Sequence, residues 1–385
     1  MAVTSPDDLG KGGIDRGILG LGGTVAGNDP TLPPRAGPSR WRALSDVPVA
    51  YWVVGALLLL NPLLTSDFIL YQVFGWAFIL GMIALSLQFL GGYGGMVSLA
   101  QMTVAGVAGY MVAILGSSAV TDVSLGWPWW VATPLAILIA VAFGTLTGAL
   151  AVRTEGIYTI MITLAISTAF FYFARQNYVI FNGFSGINQI LPPPLFGVAW
   201  NTAVPFYYLS LGAAFLSYLA VLYVSRAPFG LALQGVRDNA RRMAALGYDP
   251  IAVRIAAYAF AALIAAVAGV LLVWQTGAIS PGTVAVGPAI DILIVAVIGG
   301  LRHPIGPFLG ALVYVLLRTF ALDALVAVGL DGERFRLLVG IGFLVIVFWS
   351  DDGLLGLWAR WKARRGRDSL REPSAGEGDM RGEAG

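Results

Sequence analysis

Residues 254–275 read RIAAYAFAALIAAVAGVLLVWQ, and after Arg254 none of them carries a charge. A helix that crosses the hydrocarbon layer of a bilayer needs about 20 predominantly apolar residues, and this run supplies them. Comparable runs recur on both sides of it, at approximately 49–64, 68–90, 102–116, 128–150, 157–174, 206–224, 289–301, 304–319 and 335–350. Composition agrees with a membrane chain: 58% of the 385 residues are hydrophobic and 11% are charged, against roughly 25% charged in a soluble domain. The expected fold is therefore all-α, a polytopic transmembrane helical bundle of about 8 to 10 spans. The range allows for the stretch IGGLRHPIGP, 298–307, where Gly299, Gly300, Pro304 and Pro307 resist a continuous helix. The runs on either side of it read equally as two spans or as one broken, re-entrant segment.

The ends differ from the middle. Residues 1–46, rich in Gly, Pro and scattered charge, have no apolar periodicity and read as a disordered tail. They contain no apolar core of signal-peptide length before a small-residue cleavage site. Residues 359–385 read as a second polar tail, which leaves 47–358 as the membrane domain, with a long loop at 226–253. With ten spans, both tails share a side with Arg153, with the loop from Arg226 to Arg254 and with Arg302, while Arg175, Arg318, Arg334 and Arg336 fall opposite. Basic loops stay in the cytoplasm, so both termini are expected there. The opposite side then carries the Pro- and Asn-rich segment 176–205, read as an ordered surface loop, and WPWW, 127–130, at the position of an aromatic belt.

Immediately before the opening run stands its polar counterpart, PFGLALQGVRDNARRMAALGYDP, residues 228–250. On a 3.6-residue period Leu233, Val236, Ala240, Met243, Ala244 and Gly247 share one face, with Asp238, Arg241 and Arg242 opposite. Small residues let another backbone approach, and flanking guanidinium groups can bond a partner's carboxylates. An amphipathic helix lying on headgroups, or a solvated basic loop that enforces topology, explains the same pattern.

In GGYGGMVSLAQ, 91–101, four glycines flank Tyr93 at the end of a span. Glycine costs about 1 kcal/mol relative to alanine inside a helix, so a break is expected here. A broken helix in a membrane is tolerated only where it is buried in protein or lines a cavity. Gly92, Tyr93, Gly94, Gly95, Ser98 and Gln101 are thus candidates for a substrate pathway, tight helix packing being the alternative. Thr159 and Thr163, on one face with Ser167, are further pathway candidates, with interhelical hydrogen bonding as the alternative. Asp291 is an acid near an apolar run and so a functional candidate, with a plainer alternative: placed in the first turn of a helix after Pro288, it is stabilised by the helix dipole. His303 has no second ligand nearby, there is no cysteine, and no metal site is expected. Arg318 and Asp323 lie close enough in sequence to pair.

Four stretches together resemble one family. RDNARRMAALGYDPIAVRIAAYAFAALIAAVAGVLL, 237–272, is similar to the coupling-loop region of the permease subunits of bacterial branched-chain amino acid ABC transporters, the LivM-like family. LGGYGGMVSLAQMTVAGVAGYMVAIL (90–115), EGIYTIMITLAIS (155–167) and AVIGGLRHPIGPFLGALV (296–313) resemble further family segments in the same order. The resemblance covers about residues 68–320. It implies that Ala244, Ala245 and Gly247, with Arg237, Asp238, Asn239, Arg241 and Arg242 beside them, form a cytoplasmic coupling helix that docks on a partner ATPase. It further implies two ATP-binding cassette subunits, a second, LivH-like permease, an extracytoplasmic substrate-binding protein and a multi-pass location in the bacterial inner membrane. No GxxxxGK[ST] loop occurs in the chain, so ATP and Mg2+ belong to the partner, and neither a cofactor nor catalysis is expected in this chain. Two departures stand out: the family often has Thr-Gly-Gly where Asn182, Gly183 and Phe184 stand here, and the N-terminal tail is longer than usual. Branched-chain or related hydrophobic amino acids are the implied substrates. Permeases for urea and short amides are close alternatives, and an ion-coupled secondary transporter is the alternative of another class. Nothing in the net charge of +2 suggests nucleic acid.

Overall fold

A computed structural model describes residues 49–321, apart from 119, 121, 122, 155 and 194–199, together with residue 356. The two expected tails and the expected span at 335–350 lie outside the described residues. The chain divides into two units, Met1–Leu60 and Asn61–Gly385. The first contributes the start of helix α1, Val49–Leu64, and the second holds every other described element.

Among the described residues five helices are long and apolar enough to cross a membrane: α2 (Ile69–Tyr93), α4 (Trp129–Ala151), α5 (Ile157–Gln176), α6 (Ala203–Arg226) and α8 (Pro250–Thr276). Three apolar helices are shorter: α3 (Gln101–Leu115), α9 (Val286–Gly299) and α10 (Gly306–Leu316). At 1.5 Å per residue α3 reaches about 22 Å and α9 about 21 Å, less than a hydrocarbon layer of about 30 Å. The expected spans at 102–116 and 289–301 are thus helices, but not crossings of full length, while the one at 304–319 runs on through the π turn Leu317–Ala321 to the limit of the described residues. Polar helix α7 (Pro228–Ala245) links α6 to α8.

Helix α8 organises the bundle. Proline at its first position and the Asp249 side chain, which accepts from the Ile251 N–H at 2.9 Å, start it, and Gly277 with φ +65° ends it. Helices α2, α3 and α4 pack on α8, and α9 and α10 pack on the far side of α2. The approach is close: a Cβ added at Gly269 of α8 would overlap the Ala105 carbonyl of α3. On α4, Ala132, Ala136, Ala140, Gly144, Gly148 and Ala151 face inward, while Leu138, Leu146 and Leu150 point out. Small residues inside and large ones outside is the arrangement expected where lipid is as apolar as leucine and packing alone draws helices together. The chain is a multi-pass membrane protein.

Two ends of the second unit can be told apart by their hydrogen bonds. At one, the Tyr71 hydroxyl donates to the Gln275 carbonyl at 2.7 Å, joining the start of α2 to the end of α8. The same end carries a two-residue antiparallel pair, β1 (Ile187–Asn188) with β2 (Ala278–Ile279), which ties the expected surface loop to the bundle. Its residue Asn182 is left-handed, with φ 56°, and donates from Nδ2 to the Gly186 carbonyl at 2.7 Å. At the other end lie α7, the glycines after α2 and the turn 301–305.

Candidate functional site

The glycine-rich segment does interrupt the helix. Helix α2 widens into a π turn over Phe89–Tyr93 and stops. Residues 94–100 then run without regular structure until α3 begins at Gln101. Along this stretch the Leu99 N–H donates to the Thr163 hydroxyl at 3.1 Å, and the Ser167 hydroxyl donates to the Leu99 carbonyl at 3.4 Å. Thr163 and Ser167 lie about 9 and 15 Å along α5 from its start at Ile157. After reaching the α7 end at Gly95, the chain therefore turns back into the bundle, and α3 starts from that depth. Thr163 and Ser167, four residues apart, thus bond this returning strand, and Thr159, four residues earlier on the same face, is buried with them.

Of the expected pathway residues, Ser98 and Gln101 are fully enclosed rather than open to a channel. The Ser98 hydroxyl accepts from the Ala100 N–H at 3.3 Å, and Gln101 Oε1 accepts from the Ser86 hydroxyl at 3.1 Å. Thr159 donates to the Thr154 carbonyl at 2.9 Å. Gly94 is buried, while Gly95, with φ +68°, is exposed beside Arg237.

The expected coupling helix is two pieces. Asn239 has φ −158° and ψ 93°, outside the helical region, and its side chain accepts from the Arg242 N–H at 2.9 Å. That bond starts a second short helix, as an asparagine N-cap does. The face drawn from periodicity divides accordingly: Leu233 and Val236 are buried against the bundle, whereas Ala244, Ala245 and Gly247 are exposed beyond the kink. Gly247 closes the second piece with φ +91°, the Tyr248 N–H reaching the Met243 carbonyl at 3.1 Å and the Gly247 N–H the Ala244 carbonyl at 3.0 Å. This Schellman closure needs a residue free to be left-handed. Arg241 and Arg242 are exposed.

Arg237 joins the two regions. Its guanidinium donates to the Gly92 carbonyl at 2.6 Å, in the last turn of α2, and pairs with Asp238 at 2.9 Å. A pair this exposed contributes little stability by itself, so the bond to the helix end is its more specific contact. Around it Gly95, Thr159, Asp238, Asn239 and Arg254 line a cavity of about 320 Å³. Glycine-segment and coupling-loop candidates, far apart in sequence, thus share one site. Thr154 and Arg254 also line it without being candidates from sequence; nothing in their sequence surroundings marks them. The same is true of Gln88, whose Nε2 donates to the Leu301 carbonyl at 2.9 Å and ties the α9–α10 turn, with Arg302 and His303, to the same end. The exposed tip at 244–247 and the place where α2 is interrupted are thus connected through one linker, α7, by the bond from Arg237 to Gly92.

The helix-dipole account of Asp291 does not hold. Helix α9 begins at Val286, so Asp291 lies in its second turn, and the first turn has no acid. Arg318 sits over the Trp76 ring at 5.8 Å; Asp323, its expected partner, lies outside the described residues.

Comparison with known proteins points the same way. A family profile described as "Branched-chain amino acid transport system / permease component" matches residues 69–347. The chain is 26% identical over 282 residues to the high-affinity branched-chain amino acid transport system permease protein LivM of Salmonella typhimurium, and equally so to LivM of Escherichia coli. In both cases the match covers 67% of this chain and spans 65% of the relative's length. A probable branched-chain amino acid transport permease protein LivM of Methanocaldococcus jannaschii is 28% identical over 234 residues, 57% of this chain and 67% of that protein. No solved structure matches.

Proposed function

Since this chain belongs to the family of branched-chain amino acid transport system permease components, we propose that it is one of two permease subunits of an ABC importer for branched-chain or related hydrophobic amino acids. The observation that carries the mechanism is the bond from Arg237 to the Gly92 carbonyl. Two partner ATPases, which hold ATP and Mg2+, dock on the exposed tip of α7 at Ala244, Ala245 and Gly247, flanked by Arg241 and Arg242. Their closure moves α7, and Arg237 conveys that motion to the interruption after α2 and to the helices around it. A second, LivH-like permease completes the pathway, and an extracytoplasmic binding protein delivers substrate. The α7 end then faces the bacterial cytoplasm, as do both termini, because the basic loops gather there.

The test uses the assembled importer in vesicles. Leucine uptake should cease when ATP is removed with the membrane potential maintained, and persist when an ionophore collapses the potential. The opposite outcome would establish ion-coupled transport instead. Uptake of urea or a short amide in place of leucine would move the substrate class and leave the mechanism in place. Reversing Arg241 and Arg242 to glutamate should weaken ATPase association, since like charges meeting at an interface cost several kcal/mol. Full association and uptake in that variant would remove the docking role.

A further inference from the structure

A second cavity, of about 730 Å³, opens at the opposite end of the bundle, where the β1–β2 pair lies. It falls within the roughly 300–1,000 Å³ range of small-molecule sites. Its walls combine three chemistries. Asp291, from the second turn of α9, supplies a carboxylate, and Arg318, from the π turn Leu317–Ala321 that follows α10, supplies a guanidinium. Leu80 of α2, Met102 at the start of α3 and Leu272 of α8 supply apolar surface, with Trp76 beneath Arg318. Charged side chains within apolar helices are costly and usually face a cavity or a partner, where they mark a pathway. Here an acid and a base face the same cavity, from separate helices, around an apolar floor.

We propose that this cavity receives the transported amino acid as its zwitterion, Asp291 facing the ammonium, Arg318 the carboxylate, and Leu80, Met102 and Leu272 the side chain. The proposal rests on the amino acid permease reading and adds the place at which this chain discriminates substrate after release from the binding protein. It also makes the chain itself selective. A ligand with only one of the two charges forgoes one of the two charged contacts, and urea or a neutral amide forgoes both. Helix α3 begins at the cavity floor with Met102, and the interrupted strand 94–100 leads from there toward the α7 end.

The native chain has no cysteine, so a single Cys at Thr283, which lines the cavity, reports occupancy. In vesicles holding the assembled importer, a small water-soluble thiol reagent should label Thr283→Cys. Leucine should slow that labelling, while isocaproate, which lacks the ammonium, and isopentylamine, which lacks the carboxylate, should do so about tenfold less effectively, the size expected of one charged hydrogen bond. Asp291→Asn or Arg318→Gln in the same background should abolish the protection, and Asp291→Glu or Arg318→Lys should retain part of it. In transport, each neutral variant should lower leucine uptake about tenfold or more. No labelling at Thr283→Cys, equal protection by all three probes, or protection that survives both neutralisations would overturn the site. Leucine uptake at the parental rate in both variants would overturn it too, yet leave the permease reading intact. Absence of ATP-driven leucine uptake in the parent importer would remove that reading and the site with it.

Discussion

Among the described residues the chain interrupts its membrane helices at 94–100 and between α9 and α10, and the two are held in different ways. At residues 94–100 side chains share the work with the backbone: hydroxyls of Thr163, Ser167 and Ser98 satisfy the backbone of Leu99 and Ala100, Arg237 holds the Gly92 carbonyl, and the Gly95 and Met96 N–H groups reach the Gly91 and Leu90 carbonyls at 3.2 and 3.0 Å. The turn between α9 and α10 is held chiefly by backbone pressed on backbone. A Cβ added at Gly299 would overlap the Gly306 carbonyl, one at Gly306 the Gly300 carbonyl, and one at Gly310 the Val295 carbonyl. Hydroxyl contacts can be exchanged one for another as a strand slides, because each group finds the next acceptor within the same stripe. Interlocked glycines have no neighbouring arrangement without overlap. On the permease reading, the first interruption is expected to belong to the moving part and the second to the frame.

The largest effect should therefore come from the glycine hairpin. Gly306→Val places a branched side chain where two carbonyls already stand, and is expected to cost about 3 kcal/mol or more, the upper range for overpacking. The variant should be scarce in membranes and unfold early on heating in detergent. Gly212→Ala on α6 is its control: nothing lies within 4 Å of the added Cβ, so alanine should be neutral or slightly stabilising. A Gly306→Val protein as stable as its parent would show that the hairpin yields, and the assignment of a rigid frame would fall.

Arg237→Gln should separate stability from activity. Its partner Asp238 and the Gly92 carbonyl are at an exposed surface, so thermal stability should change by no more than about 1 kcal/mol. Uptake should fall severalfold while ATP hydrolysis continues, since the link between α7 and α2 is then missing. Equal loss of stability and uptake would make Arg237 a structural brace, and the movement would have to pass through other contacts.

Much of this was legible in the sequence, for reasons that differ by element. The apolar runs announce helices because a membrane excludes other solutions, and GGYGG announces the interruption after α2 because four glycines in five residues do not sustain a helix. The depth at which α3 begins was not legible: it is set by Leu99 meeting Thr163, 64 residues away. Periodicity carried the α7 face straight through Asn239, since Leu233, Val236 and Ala240 keep helical spacing across it, and only the cap on Arg242 reveals the kink. Arg237 read as one of the charges beside a docking helix, and its bond within the chain was not legible, because its partner is a carbonyl 145 residues distant and backbone partners leave no trace in composition. The charges of the larger cavity were each visible, yet nothing in a linear pattern brings Asp291 to Arg318.

The smallest expected effect tests the comparison from the other side. Thr163→Val keeps the shape of the side chain and removes the hydroxyl that accepts from the Leu99 N–H and donates to the Ile160 carbonyl at 3.0 Å. A buried N–H without a partner costs about 1–3 kcal/mol in soluble proteins, but interhelical side-chain bonds in a membrane average nearer 0.6 kcal/mol because alternative partners are found. Ser167 already bonds the neighbouring carbonyl of Leu99 and lies one turn along the same stripe. A loss of about 0.6–1 kcal/mol is therefore expected for Thr163→Val, less for Thr163→Ser, and more than the sum of the two single losses for Thr163→Val with Ser167→Ala, since the second change removes the substitute. Thermal unfolding of the parent, the three single variants (Ser167→Ala among them) and the double variant in one detergent reads these values. If Thr163→Val alone proves as damaging as Gly306→Val, the hydroxyl stripe is as unforgiving as the glycine hairpin, and the strand at 94–100 is not the part that moves.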